Sequence, residues 1–145
     1  AIRTGPYGRC VYSCDNDVVD HQVVAMEYED NITVTFTMTA FTAGEGRRMR
    51  VHGSLGELYF DESTITIQDF ATGNKETIAI GAETGGHGGG DNRLALNWLA
   101  GLAANSAENI KTDVHRSLRT HSIAFAAEAS RKEQRMIDVS EFSKV

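Results

Sequence analysis

The residues best placed to do chemistry gather around one histidine. The run Gly85-Gly86-His87-Gly88-Gly89-Gly90-Asp91 surrounds His87 with five glycines and ends on a carboxylate. Glycine removes steric cover, so the imidazole is expected to stand accessible on a loop, where functional groups are disproportionately found. A side chain that changes charge near neutral pH can give or take a proton there. The same run invites a phosphate-binding reading and fails it. No Lys-Ser or Lys-Thr follows, and the position that would complete G-x-G-x-x-G is Asp91. A carboxylate at a helix start also competes with phosphate for the same N–H groups. The structural alternative is a flexible connection between a sheet and a helix.

Other candidates are weaker. Cys10 and Cys14, with Asp15, His21 and the remaining histidines, are zinc-type donors. C-x3-C is half a site, however, and no second Cys or His pair at finger spacing completes it. Further ligands would have to come from sequence upstream; two reduced, partly buried cysteines are the plainer reading. Asp20, His21 and Gln22 suggest an acid–base set. On a strand, consecutive residues alternate faces, so Asp20 and Gln22 should share one side while His21 points away. No cluster is expected there, and His21 is carried only as a single substrate-facing candidate. His115 and His121 lie six apart on a helical stretch and do not share a face. No G-x-S-x-G elbow or other nucleophile signature occurs, so no residue of the chain is assigned a catalytic role.

The elements that must position these groups fall in two blocks. Residues 15–80 alternate apolar and polar at period two, and residues 91–134 repeat at helical spacing. Strands first and helices second predict an α+β fold: a largely antiparallel open sheet with helices packed on one face. That order excludes the alternating strands and helices of a nucleotide-binding α/β domain. The boundaries are an extended arm over 1–14, sheet over 15–80, a glycine-rich loop over 81–90, helices over 91–134 and a strand or tail over 136–145. All 145 residues are expected to form one domain, a length at which roughly 68–70% of the unfolded surface is buried.

Within the sheet block, strands are predicted at 18–29, 32–40, 47–52, 57–60, 64–69 and 76–80. Asp30-Asn31 reads as a two-residue turn, since both residue types tolerate positive φ. Ile32, Val34, Phe36, Met38 and Ala40 should point one way, and Thr33, Thr35, Thr37 and Thr39 the other. The third strand should bury Met49 and Val51 and turn Arg48, Arg50 and His52 outward. Asp91 is expected to cap the first helix, with Leu94, Trp98, Leu99 and Leu102 as its apolar stripe. Thr112 or Asp113 should cap the second, whose inner face would hold Val114, Leu118, Ser122, Phe125 and Ala129. An antiparallel sheet covered on one side leaves the other free, so the threonine face (Thr33, Thr35, Thr37, Thr39) is the expected oligomer contact.

Composition narrows the partners. The formal net charge is −6, which repels a nucleic-acid backbone or anionic membrane on average. Arg47, Arg48 and Arg50 alone are no nucleic-acid footprint. No apolar run approaches the ~18 residues of a membrane span, and no signal peptide is evident. Two cysteines are too few for a secreted disulfide framework, so a cytoplasmic protein is expected. The chain opens on Ala1-Ile2-Arg3 without methionine, as a piece of a larger protein would.

Taken in order, several segments resemble a known family. They are Gly8-Arg9-Cys10-Val11-Tyr12, then Cys14-Asp15-Asn16-Asp17-Val18-Val19-Asp20-His21-Gln22, then Phe36-Thr37-Met38-Thr39-Ala40-Phe41. Gly53-Ser54-Leu55-Gly56-Glu57, Gly86-His87-Gly88-Gly89-Gly90-Asp91 and Ala126-Ala127-Glu128-Ala129-Ser130-Arg131 complete the series. The series resembles the carboxy-terminal domain of the Gfo/Idh/MocA oxidoreductases, the glucose–fructose oxidoreductase and inositol dehydrogenase family. The resemblance implies an α+β domain that follows an amino-terminal Rossmann domain and forms dimers or tetramers through its open sheet. It implies hydride transfer between NAD or NADP and a sugar, inositol or related carbonyl or hydroxyl compound. The Rossmann fingerprint, the Glu-Lys-Pro segment and the Asp/His helix of the family are not found in these residues, so the chain alone is expected to be inactive and to bind no cofactor. By the same resemblance, the loop 41–47 and the loop of His87 would border the substrate cleft, making His87 and Arg47 substrate-facing. Two alternatives stay open: a stand-alone binding or assembly module, and a metal-dependent hydrolase.

Overall fold

The computed structural model describes residues 2–10, 12–44, 46–81 and 85–142. The fold is α+β, with antiparallel strands ahead of helices as the hydrophobic periods require. The strands form two sheets rather than one, because each pairs only with its hairpin neighbour: β1 with β2, and a meander in the order β3-β4-β5-β6. The chain divides into two compact units, Ala1–Glu45 and Gly46–Val145. Each is described by itself.

In the first unit, β1 (His21–Glu27) and β2 (Thr33–Thr39) form a regular antiparallel ladder. The turn between them works because Asp30 and Asn31 adopt left-handed conformations, with φ of 61° and 58°. The Tyr28 N–H then donates to the Ile32 carbonyl at 2.8 Å, closing the hairpin. Register puts Gln22, Val24 and Met26 opposite Met38, Phe36 and Val34 on one face. The threonines lie on the other face, opposite His21, Val23, Ala25 and Glu27. Strand β1 is shorter than its apolar pattern suggests, since pairing stops at His21↔Thr39. Upstream, residues 2–10 and 12–20 form turns, tied by an Arg9–Asp15 ion pair and by Tyr12 and Phe41, whose ring centroids are 5.8 Å apart.

In the second unit, β3 (Met49–His52), β4 (Gly56–Phe60), β5 (Thr64–Asp69) and β6 (Lys75–Ala79) are joined by tight turns. Two of these turns are organised by aspartates. Asp61 Oδ1 accepts from the backbone and hydroxyls of Ser63 and Thr64, and Asp69 Oδ1 from the N–H and hydroxyl of Thr72. These donors favour the charged form and hold both carboxyls below their ordinary range. Arg47 and Arg48 precede β3 rather than lying in it. Met49 and Val51 do share a face, but both are exposed, because alternation puts them on one side of the sheet without supplying an element to cover that side.

The helices are α1 (Gly90–Ala103) and α2 (Val114–Glu133). Helix α2 starts where its sequence says: Asp113 accepts from the N–H groups of His115 and Arg116 at 2.9 and 3.0 Å. It ends on Gln134 at φ 54°, with Arg131 and Lys132 complementing the dipole in its last turn. Its buried stripe is Ser122 and Ala126, one turn apart. Val114 and Phe125, expected on the inner face, are exposed, although the Phe125 ring lies 6.3 Å from that of Phe142 in the following segment. That segment, Val139–Phe142, is a 3-10 turn where a strand or tail was expected. The Ser122 hydroxyl lies 3.0 Å from the Leu118 carbonyl and 3.2 Å from the Phe142 carbonyl, tying the turn to the helix.

Helix α1 is held from its middle. Asn97 Nδ2 donates to the Asn109 carbonyl at 3.0 Å, and its Oδ1 accepts from the Lys111 N–H at 2.9 Å. One turn on, buried Gly101 lets Ile110 close in; a Cβ there would lie 2.4 Å from Ile110 Cγ1. The apolar stripe Leu94, Trp98, Leu99 and Leu102 is nevertheless 50–55% exposed.

Candidate functional site

The loop before α1 is shaped by left-handed backbone. His87, Gly88 and Gly89 have φ of 52°, 61° and 84° in succession. Glycine adopts this at no steric cost, whereas histidine does so under strain. The curl folds His87 back over the helix start. Its carbonyl accepts the Gly90 N–H, and its ring Nδ1 lies 2.9 and 3.1 Å from the two carboxylate oxygens of Asp91. Asp91 is therefore not the cap expected of it. The N-cap position belongs to Gly89, which has no side chain to offer, and the Asp91 carboxylate serves the imidazole instead. The histidine side chain is 84% exposed and open to an incoming molecule. Residues 82–84, part of the predicted 81–90 loop, lie outside the described residues.

The other two substrate-facing candidates sit elsewhere. Arg47, beside Gly46 at φ 101°, is 3.8 Å from Glu62 in the turn between β4 and β5. It pairs with that carboxylate, while His87 pairs with Asp91. Glu45, in the 41–47 loop, is outside the described residues. In the first unit, His21 Nδ1 lies 2.6 Å from Asp20 Oδ1, a contact that strand alternation argued against. The argument failed because Asp20 precedes the strand, where the backbone bends and adjacent side chains can converge. Its hydrogen bond to His21 holds the Asp20 carboxyl below the ordinary range. Gln22 stays on the opposite face, opposite Met38.

Neither aspartate–histidine pair was predicted from the sequence: strand alternation argued against Asp20–His21, and His87–Asp91 was not considered. For His87 the signal was present: His-x3-Asp across a helix start places the two side chains one turn apart. His52 and His121 also have local partners. His52 lies 3.5 Å from Glu57 across the β3–β4 ladder, and His121 Nδ1–H donates to the Ser117 carbonyl at 2.7 Å. Among the described residues no group of three or more His, Cys, Asp or Glu side chains is arranged to hold a metal ion. Neither Cys10 nor Cys14 is in a disulfide. Cys10 is exposed rather than partly buried, and hydrogen bonds from the Tyr12 backbone and from Ser13 lower its pKa. Among the described residues no helix is long and apolar enough to cross a membrane.

Comparison with known proteins adds one relative. The chain is 26% identical over 105 residues to the Bacillus subtilis (strain 168) protein named "Putative oxidoreductase YteT". The match covers 63% of this chain and 24% of that protein, so the chain spans about a quarter of the length of the curated relative it matches. No family model matches the chain. No solved structure matches it. This distant similarity supports an oxidoreductase.

Proposed function

We propose that the chain is the substrate-binding and assembly part of an NAD(P)-dependent oxidoreductase of the Gfo/Idh/MocA type, acting on a sugar, inositol or related compound. The observation that carries this reading is the similarity to a protein named as an oxidoreductase, four times longer than the matched segment. The antiparallel α+β fold agrees with it. The apolar stripe of α1 is 50–55% exposed, which fits a surface that other protein covers.

The residues present do not fit a dinucleotide. A pyrophosphate needs free N–H groups at a helix start and glycine at each close approach. At the start of α1, the second residue is Asp91, and its carboxylate and the His87 ring occupy that position. The nicotinamide is therefore assigned to protein outside this chain, and no step is derived through it. Within the chain, His87 and Arg47 are proposed to face the substrate, with His21 as a further candidate. The exposed threonine face of β2 is proposed to join subunits into a dimer or tetramer. A cytoplasmic location is proposed with them, since Cys10 and Cys14 form no disulfide.

Calorimetric titration of NAD and NADP tests the reading. The intact protein should bind one of the two at micromolar concentration, and the isolated chain neither. An intact protein that binds neither nucleotide overturns the oxidoreductase assignment in favour of a binding or assembly module.

A further inference from the structure

Free cysteine usually packs inside a protein as a small apolar group, yet Cys10 is exposed. Its surroundings suit a reactive thiol. Hydrogen bonds from the Tyr12 backbone, then from the Ser13 hydroxyl and N–H, favour the thiolate, which is the nucleophilic form. The second thiol of the chain, Cys14, stands four residues on. In an extended chain their Cα atoms would be about 13 Å apart. Here the backbone turns back. The Ser13 N–H donates to the Cys10 carbonyl at 3.2 Å, and the Arg9–Asp15 ion pair closes the same loop from outside. Such a turn holds its first and fourth Cα atoms within about 7 Å, and Cys14 follows directly. The pair is thereby drawn toward the roughly 4.4–6.8 Å that a disulfide spans. An accessible thiolate beside a second thiol is the arrangement that senses oxidants.

We propose that Cys10 and Cys14 form a reversible disulfide, with Cys10 as the thiol that reacts with hydrogen peroxide and Cys14 as the thiol that resolves it. The Cys10 sulfur attacks one peroxide oxygen, so that an S–O bond forms and the O–O bond breaks. Hydroxide leaves and takes up the thiol proton as water; the sulfur is oxidised by two electrons and the peroxide is reduced by two. The Cys14 sulfur then attacks the Cys10 sulfur. The S–S bond forms, the S–O bond breaks, and the departing hydroxide leaves as water with the Cys14 proton. A small thiol reductant restores both thiols by exchange. Transient disulfides of this kind are the ones a reducing compartment permits. The pair works without the nicotinamide and stands apart from the oxidoreductase reading.

Hydrogen peroxide in near-equimolar amount at pH 7, followed by mass spectrometry of the full chain, tests the pair. The chain has only these two cysteines, so both thiols should be lost together within one chain. Fragments cleaved after Tyr12 should stay joined until reductant is added. Cys14→Ser should stop at a Cys10 sulfenic acid that a cyclic diketone traps, severalfold faster than any forms on Cys14 in Cys10→Ser. Asp15→Ala, which opens the outer closure, should slow disulfide formation severalfold without slowing alkylation of Cys10. Thiols that both survive peroxide, or disulfides that join separate chains, overturn the pairing. Equal trapping in the two serine variants overturns the division of roles, and an unchanged rate in Asp15→Ala overturns the part given to the closed loop.

Discussion

Each long helix has an aspartate within two residues of its start, and the two are used for opposite purposes. Before α2, Asp113 turns its carboxylate onto the His115 and Arg116 N–H groups. In α1, Asp91 turns its carboxylate away from the backbone and onto His87, leaving Gly89 in the cap position. Helix α2 is thus fastened at its first turn. Helix α1 is fastened further along, by the Asn97 side chain and by the Gly101–Ile110 contact. With anchoring moved to the middle, the start of α1 is released from a structural duty. That release is what lets a loop histidine be held in a chosen orientation.

The largest effects should come from loosening the anchor of α1. Asn97→Ala removes two hydrogen bonds to the 109–111 backbone and should destabilise the chain by about 1–2 kcal/mol, read from denaturant unfolding. Gly101→Ala sets two effects against each other. Alanine favours the helix by about 1 kcal/mol, whereas overpacking costs about 1–3 kcal/mol. A Cβ 2.4 Å from Ile110 Cγ1, which is not the free end of that side chain, decides the sign, and Gly101→Ala should lower the melting temperature.

Next come the two aspartates, which set the comparison directly. Asp113→Ala should lower the melting temperature by roughly 3 °C, as loss of a helix cap does. Asp91→Ala should leave it nearly unchanged, since among the described residues the carboxylate partners the His87 ring and not a backbone N–H. Equal losses at both positions would mean that Asp91 is a cap in solution and would dissolve the contrast.

The smallest effect concerns acid. Arg131 first, and then Lys132, hold the Glu128 carboxyl down to about 2. A carboxyl lowered on folding stabilises above its unfolded value of about 4.3 and loses that contribution as pH falls toward 2. Asp113 is lowered too, chiefly by the Arg116 N–H, so acid weakens both ends of α2. Helicity followed from pH 5 to pH 2 should fall modestly, and the Glu128 carboxyl carbon should titrate well below 4.

How far the sequence could be read depended on the range of the interactions. The Thr33–Thr39 alternation, the Asp30-Asn31 turn and the Asp113 cap are local, and each follows from a few adjacent residues. The division into two sheets was not legible, because strand alternation says which face is apolar but not which edge is paired. The burial of Met49 and Val51 was misread because alternation names an apolar face but not whether anything packs on it. At the candidate site, the accessibility of His87 was legible from its glycines. The choice of Asp91 between the N–H groups of the helix start and one imidazole was not. Left-handed φ at His87 through Gly89 decides it, and three consecutive positive φ values leave no trace in apolar periodicity. The Asp20–His21 contact was hidden because it lies one residue outside its strand.

The most direct test is the turnover of the intact protein with and without the His87 imidazole. Hydride transfer to NAD or NADP, followed at saturating nucleotide across a panel of sugars and inositols, should fall severalfold or more in His87→Ala while the melting temperature stays the same. Turnover equal to that of the unsubstituted protein on every oxidised substrate would contradict the assignment of this loop to the substrate.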